Sequence, residues 1–129
     1  MNREIAPTNI APTVANYAHA MVSTSSTRPL YTSGVVPIRP DGSVPADIAE
    51  QAEVVWANLK AILDEAKMTF GHVVSVTTYV VVDHLPDLSK VMAARDRALN
   101  GHRAASTLVT VPALARPEWK LEISLIAHW

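Results

Sequence analysis

The sequence predicts a single α+β domain, spanning residues 1–129, in which two helices cover one face of a sheet. Three observations predict this class. The chain has 129 residues, which is the size of one domain. Two segments repeat apolar residues at the spacings of amphipathic helices, and several others have the alternating or β-branched character of strands. Two such helices are enough to cover only one face of about five strands.

The first elements are predicted to be two strands. Residues 15–22 and 29–36 are separated by the polar, turn-rich run Ser-Thr-Ser-Ser-Thr-Arg, which indicates a hairpin. The stretch over 36–45, the richest in proline and glycine, is expected to be a loop into the first helix.

A long amphipathic helix is predicted within residues 45–66. Pro45 and Asp47 suit its first turn, where a missing N–H costs nothing and the helix dipole favours negative charge. One apolar stripe contains Ile48, Ala52, Val55, Trp56, Leu59, Ile62, Leu63 and Ala66.

A second, shorter helix is predicted to begin after Pro86 and to end at Asn100-Gly101, which is a typical C-terminal stop. Its stripe consists of Leu88, Val91, Met92, Arg95 and Leu99.

Three further strands follow from the remaining segments. Residues 72–82 are almost continuously apolar, as expected of a central strand buried on both faces, whereas 106–111 and 119–129 each present two distinct faces. The predicted order is β-β-α-β-α-β-β. The sheet face without helices would carry Tyr79 and several valines, and such a face is normally buried by oligomerisation, most economically in a closed ring.

Composition excludes several classes of protein. There is no cysteine, hence no disulfide framework and no thiol nucleophile, and a reducing cytoplasm is the expected location. Eleven basic and 12 acidic residues give a net charge of −1, which argues against nucleic acid as a partner. No apolar run has the length of a membrane span or the form of a signal peptide, so no membrane association is expected.

The strong catalytic motifs are absent. Four glycines make no phosphate loop, and the five histidines lack metal-site spacing, so neither a metal nor a cofactor is predicted. Glu122 lies in a run otherwise suited to burial, where a carboxylate is either a proton-transfer group in a cleft or part of a solvated sheet face. Tyr17, Ser33 and Ser106 have ordinary explanations as a half-buried aromatic, a turn residue and a strand-entry residue.

Five segments, taken in order and spacing, resemble the Rid (YjgF-like) family of reactive-intermediate deaminases. The resemblance covers nearly the whole chain. The segments are Ala-Pro-Thr-Val-Ala-Asn-Tyr at 11–17, Tyr-Thr-Ser-Gly-Val-Val-Pro at 31–37, Val-Pro-Ala-Asp-Ile-Ala-Glu-Gln-Ala at 44–52, Val-Thr-Thr-Tyr-Val at 76–80 and Lys-Leu-Glu-Ile-Ser-Leu-Ile-Ala at 120–127.

The resemblance implies a chorismate-mutase-like, ferredoxin-like α+β protomer. It also implies a homotrimer that encloses a central β barrel, with three small-molecule pockets at the subunit interfaces. Members hydrolyse imines and enamines to a 2-oxo acid and ammonia without metal or cofactor, using an arginine to bind the substrate carboxylate and a glutamate to position or activate water.

Carried over by position, the resemblance assigns Glu122 the catalytic role. It assigns substrate contacts to Tyr17, Ser33 and Gly34. Where catalytic members have Pro-Ala-Arg-Thr or Pro-Ala-Arg-Ser, this chain reads Ala-Ala-Ser-Thr over 104–107, which puts Ser106 in the place of the arginine and Leu108 at the nearby position that is often cysteine. Met92 occupies a position that is polar in some deaminases.

Replacing a bidentate guanidinium by a hydroxyl should remove on the order of 1.5 to 3 kcal/mol of carboxylate binding. Arg103 is an odd number of residues from Ser106, so a strand would point it to the opposite face, and nothing in the sequence orients Arg116. We also expect His19 to project on the same side as Tyr17 and to join a less cationic pocket with Ser106 and Glu122; the alternative is a His19 on the protein surface.

The resemblance, together with the missing arginine, leaves three functions open. The first is hydrolysis of an imine or enamine with altered substrate scope. The second is a non-catalytic metabolite-binding protein on the same scaffold. The third, endoribonuclease activity, is described for some relatives but conflicts with the charge of this chain.

Overall fold

The computed structural model describes residues 1–25 and 27–129. Six strands and two helices follow each other in the order β1 (Asn2–Ile5), β2 (Ala20–Ser23), β3 (Pro29–Tyr31), α1 (Ile48–Glu65), β4 (Val73–Val81), α2 (Leu88–Leu99), β5 (Ala105–Val111) and β6 (Leu121–His128). Short 3-10 turns precede β4 and α2.

Four strands form the main sheet in the order β3-β6-β4-β5. β4 pairs in parallel with β5 and antiparallel with β6, so the strand predicted to be central is flanked on both sides. β3 pairs antiparallel with the C-terminal end of β6. The predicted α+β class, with two helices on one face of a mixed sheet, is confirmed.

Both predicted helices form, and their ends follow local chemistry. The Asp47 carboxylate accepts a hydrogen bond from the Glu50 N–H at 3.0 Å and so caps the start of α1. α2 ends where Asn100 adopts a left-handed conformation, with φ of 45°, as its Asn-Gly signal predicts.

The core lies between the helices and one face of the sheet. Along β6 the alternate residues Leu121, Ile123, Leu125 and Ala127 are buried against the helices. The opposite face keeps half-buried residues such as Tyr79 and Val81 on β4, with Val109 on β5 exposed. The open, partly apolar face is therefore present as predicted, although a single chain does not bury both faces of β4.

The predicted N-terminal hairpin is wrong. β2 pairs with β1, a strand that the sequence analysis did not predict, whereas β3 pairs with β6. The reason is that β1 contains only four residues, two of them charged, and its anchor is tertiary: the Asn2 amide donates to the carbonyls of His72 and His128 at 3.3 and 3.0 Å. Ser26, inside the predicted turn, lies outside the described residues.

Residues 14–17 form a bend rather than part of the predicted strand over 15–22. The Arg103 guanidinium holds this bend by donating to the Tyr17 carbonyl and, at 3.0 Å, to the Thr13 hydroxyl. Neither helix of the described chain combines the length and hydrophobicity required to cross a membrane.

Candidate functional site

A cavity of about 230 Å³ lies between the 14–17 bend, α2 and β5. Most of its lining is apolar, with one phenol, one hydroxyl and one guanidinium added. The lining residues are Val14, Ala15, Tyr17, Leu88, Met92, Arg95, Ser106 and Leu108.

The strand side of this cavity is set by the register of β5. Ser106 and Leu108 pair with Val76 and Thr78 of β4, both of which are buried on the helix-covered face. Because residues in register point to the same side of a sheet, Ser106 and Leu108 also face α2. The face that packs the core therefore also forms one wall of the cavity.

Tyr17 reaches the cavity from the bend because two contacts hold its backbone. The Ala18 N–H donates to the Ala104 carbonyl at 2.9 Å, which joins the bend to the start of β5. Arg103 donates to the Tyr17 carbonyl and forms an ion pair with Glu4 at 3.3 Å. Arg103 is thus committed to the scaffold and does not line the cavity.

Glu122 belongs to a second cluster, together with Gly34. A Cβ added to Gly34 would lie 2.0 Å from Glu122 Oε2 and 2.5 Å from its Cδ, so the carboxylate rests directly on the glycine backbone. The Val35 and Ile123 backbones exchange hydrogen bonds of 2.7 and 3.0 Å, which fixes this contact beside β6. Any side chain at position 34 would displace the carboxylate.

The two clusters lie on opposite faces of the sheet. Glu122 pairs with Tyr79 on the open face, whereas Ser106 and Leu108 lie on the face covered by α2. Of the residues assigned by sequence, the structure brings Tyr17, Ser106 and Leu108 together around the cavity. It places Glu122, Gly34 and the exposed Ser33 elsewhere in the same chain.

His19 is close to Tyr17 but is not part of the cavity lining. The two rings meet edge to face, with centroids 6.4 Å apart. His19 is exposed, and its Nε2 is 2.9 Å from the Ala11 carbonyl oxygen. His19 therefore lies beside Tyr17, as expected, but it contacts the tyrosine ring without lining the cavity.

Arg95 is a charged residue of the cavity lining that is not among the site residues predicted from the sequence. It is 6% exposed, although it is charged. The available signal was its position on the otherwise apolar stripe of the second helix, where a buried cation needs a specific partner. Arg116, by contrast, stacks on the Trp119 ring at 5.3 Å and does not line the cavity.

Metal-binding clusters are not found among residues 1–25 and 27–129, where no three His, Asp or Glu side chains are grouped to hold an ion. The chemical groups that the cavity offers are the Tyr17 phenol, the Ser106 hydroxyl and the Arg95 guanidinium. These groups are suited to bind a small polar molecule with an apolar portion.

Comparison with known proteins gives one consistent result. The family described as Endoribonuclease L-PSP matches residues 8–129. The 2-iminobutanoate/2-iminopropanoate deaminase of Escherichia coli K12 is 36% identical over 102 residues, which cover 76% of this chain and 77% of that protein.

Solved structures agree. YyfB of Yersinia pestis, from the conserved Rid protein family, superposes with a TM-score of 0.90 at 32% identity, covering 99% of this chain and 98% of its own. Escherichia coli TdcF with bound serine has a TM-score of 0.73 at 26% identity, with 98% of both chains covered. The chain belongs to the endoribonuclease L-PSP family, that is, the Rid or YjgF family, whose relatives include imine deaminases.

Proposed function

We propose that this Rid-family chain hydrolyses the C=N bond of a small imine, or of the enamine in equilibrium with it, to an oxo compound and ammonia. The observation that carries the proposal is the cavity of about 230 Å³ lined by Tyr17, Ser106 and Leu108. The family resemblance assigns a substrate contact to Tyr17 and places Ser106 at the position of the substrate-binding arginine, with Leu108 close to it. The 36% identical deaminase supports the reaction class.

The complete site is proposed to combine two copies of the chain. Within one chain a sheet separates the cavity from Glu122, so a ligand in the cavity has no direct path to that carboxylate. In a cyclic trimer each interface joins two different surfaces of neighbouring copies. The cavity side of one copy would meet the Gly34–Glu122 side of the next, giving three equivalent sites.

A homotrimer is also favoured by the open face of the sheet. This face carries half-buried Tyr79 and Val81, exposed Val109 and, on β3, Tyr31, which is 68% exposed. A contiguous apolar face of this kind is normally covered in the functional assembly. Three such faces brought together would enclose the proposed central barrel.

The proposed chemistry is the addition of water to an electrophilic carbon. Glu122 accepts a proton from water as the oxygen attacks the imine carbon, and the C=N electron pair moves to nitrogen, which takes that proton from Glu122. The hydroxyl of the resulting carbinolamine then gives its proton to Glu122 as the C=O bond forms and the C–N bond breaks, and Glu122 passes this proton to the leaving nitrogen, which departs as ammonia. An imine carbon is already electrophilic, so this step needs neither metal nor cofactor.

Substrate scope is proposed to differ from that of relatives with an arginine at the position of Ser106. A neutral hydroxyl cannot form the two parallel charge-assisted bonds of a guanidinium with a carboxylate. Leu108, also on β5, further makes this part of the cavity apolar. The preferred ligand is therefore expected to carry an apolar group beside the β5 wall.

The second candidate is a non-catalytic metabolite-binding protein on the same scaffold. The observation that favours it is the separation of Glu122 from the cavity within the chain. Endoribonuclease activity is the third candidate and ranks last, because a net charge of −1 supplies no basic surface for a phosphate backbone.

Ammonia release distinguishes these functions. Enamines are generated in situ by a pyridoxal-phosphate lyase, and release is compared for the wild type, Ser106→Arg and a no-protein control. Acceleration by the wild type supports the deaminase. Acceleration only by Ser106→Arg contradicts hydrolysis of this substrate class and supports a scaffold with another ligand, whereas cleavage of an RNA oligomer by the wild type supports the third function.

A further inference from the structure

The Arg95 side chain is a buried cation whose hydrogen bonds are largely unused. Its side chain is 7% exposed, and it is the one charged group among the described residues that line the cavity. Within the described chain its Nε donates to Asp96 Oδ1 at 3.1 Å. Nη2 lies 3.1 Å from the same oxygen, but it is buried and makes no hydrogen bond.

This arrangement is costly unless another group completes it. A guanidinium has five N–H donors, and burial removes the water that would otherwise satisfy them. A buried donor without a hydrogen bond costs stability, so the Nη2 group, which has the ion pair with Asp96 but no hydrogen bond, needs an explanation. Asp96 is 44% exposed and meets the guanidinium with one oxygen only, so this exposed carboxylate is a weak partner for a buried cation.

We propose that Arg95 is the anion-binding residue of the cavity and that the ligand carries a carboxylate. This inference rests on the proposed function, since it names the substrate class of the same site. A guanidinium forms charge-assisted N–H···O bonds with a carboxylate, and Asp96, the acidic side chain paired with Arg95, does not itself line the described cavity. Ser106, on the facing strand, leaves the opposite wall uncharged.

The location of Arg95 predicts how the ligand is oriented. Its carboxylate would lie toward α2, beside Leu88 and Met92, and not against β5. A guanidinium on α2 would therefore bind the anion from a different wall than a guanidinium at position 106 would. The cavity would therefore select substrates whose reacting carbon is correctly placed when their carboxylate lies toward α2.

Calorimetry with a matched pair of ligands tests the proposal. The probes are 2-oxobutanoate and its neutral amide, which differ only in charge at the group of interest. We expect the wild type to prefer the carboxylate by about 10- to 100-fold, as loss of a charge-assisted pair implies. Arg95→Gln should abolish this preference and leave amide affinity within about threefold.

The control is Arg97→Gln, on the same helix. Arg97 is exposed and pairs with Glu53, so its removal should leave both affinities unchanged. The double variant Arg95→Gln with Ser106→Arg should recover part of the carboxylate preference, because it returns a guanidinium to the same cavity from the other wall. A preference that persists in Arg95→Gln overturns the proposal.

Since Arg95 is buried, the folding of Arg95→Gln is checked by thermal unfolding. If this variant does not fold, Asp96→Asn tests the proposal instead, because it keeps an oxygen that accepts from Nε but removes the competing negative charge. Carboxylate binding should then tighten by about two- to fivefold, with amide binding unchanged. Unchanged carboxylate binding contradicts the proposal. A wild type that binds neither probe and releases no ammonia refutes the proposed function itself, whereas ammonia release with no effect of Arg95→Gln refutes only the role of Arg95.

Discussion

The helix-covered and open faces of the sheet carry different halves of the proposed chemistry. The covered face contributes a cavity with a buried cation, Arg95, and two hydroxyls, on Tyr17 and Ser106. The open face contributes one carboxylate, Glu122, lying on the Gly34 backbone. In the proposed reaction one half binds the anion and the other moves the proton, so neither half would be sufficient alone.

This division shows why alternation along a strand matters for function. A one-residue change in register would move Glu122 to the core and Ser106 to the open face. The sheet therefore holds the proposed binding and proton-transfer groups apart within a chain. Only contact between copies would bring them together.

The largest effect is expected when the carboxylate is neutralised. Glu122→Gln keeps the size of the side chain but removes the proton acceptor, so ammonia release should fall by about 10²- to 10⁴-fold. Affinity for 2-oxobutanoate should change little, because the cavity is intact. Turnover within twofold of the wild type would remove Glu122 from the mechanism.

Assembly is tested by a charge on the open face. Val109 is 41% exposed, and Val109→Glu should convert a trimer of about 42 kDa into 14.0 kDa monomers and abolish turnover. Ile62→Glu is the control, since Ile62 is 38% exposed but lies on α1. Size exclusion with light scattering measures both; a wild-type monomer contradicts the proposed site.

Gly34→Ala addresses the contact beneath the carboxylate. The added methyl would lie 2.0 Å from Glu122 Oε2, so the carboxylate must move while the backbone does not. Turnover should fall by about 10- to 100-fold through misplacement of the base. Gly71→Ala is the control, because its Cβ would meet only Thr69 Oγ1 at 3.4 Å. Equal activity of the two variants would show that the Glu122 position is unimportant.

The smallest effect is expected at His19. Its ring contacts Tyr17 edge to face but does not line the cavity, so His19→Ala should weaken ligand binding by less than about threefold. Tyr17→Phe, which removes a hydroxyl that lines the cavity, should weaken it more. Calorimetry with 2-oxobutanoate compares the two; a larger loss in His19→Ala would assign the histidine to the site.

Much of the fold could be predicted because its signals are local. Residues close together in the sequence define the apolar stripes of α1 and α2 and the buried–exposed alternation of β6. The same is true of the C-terminal end of α2 at Asn100. The hairpin prediction failed because strand pairing is decided by distant partners. β2 pairs with four residues at the chain start whose anchors are the carbonyls of His72 and His128.

The site was less predictable for the same reason. Resemblance supplied Tyr17, Ser106 and Glu122, but not the face of the sheet on which each lies relative to the others. The sequence does show that Arg95 is a charged residue on the apolar stripe of the second helix. It does not show that this residue lines a cavity. Arg103 and Arg116 do not take the place of the missing arginine in this cavity, because they contact Tyr17 and Trp119 and neither lines it.

Subunit complementation most directly tests the claim that each site draws on two copies. Glu122→Gln is co-expressed with Leu108→Trp, which fills the cavity, and mixed trimers are purified by two affinity tags. Each parent is expected to be inactive, whereas each mixed trimer pairs an intact cavity with an intact carboxylate at one of its three interfaces, which is one third of its sites. Recovery of about that fraction of wild-type ammonia release is predicted. Mixed trimers as inactive as their parents would contradict a shared site.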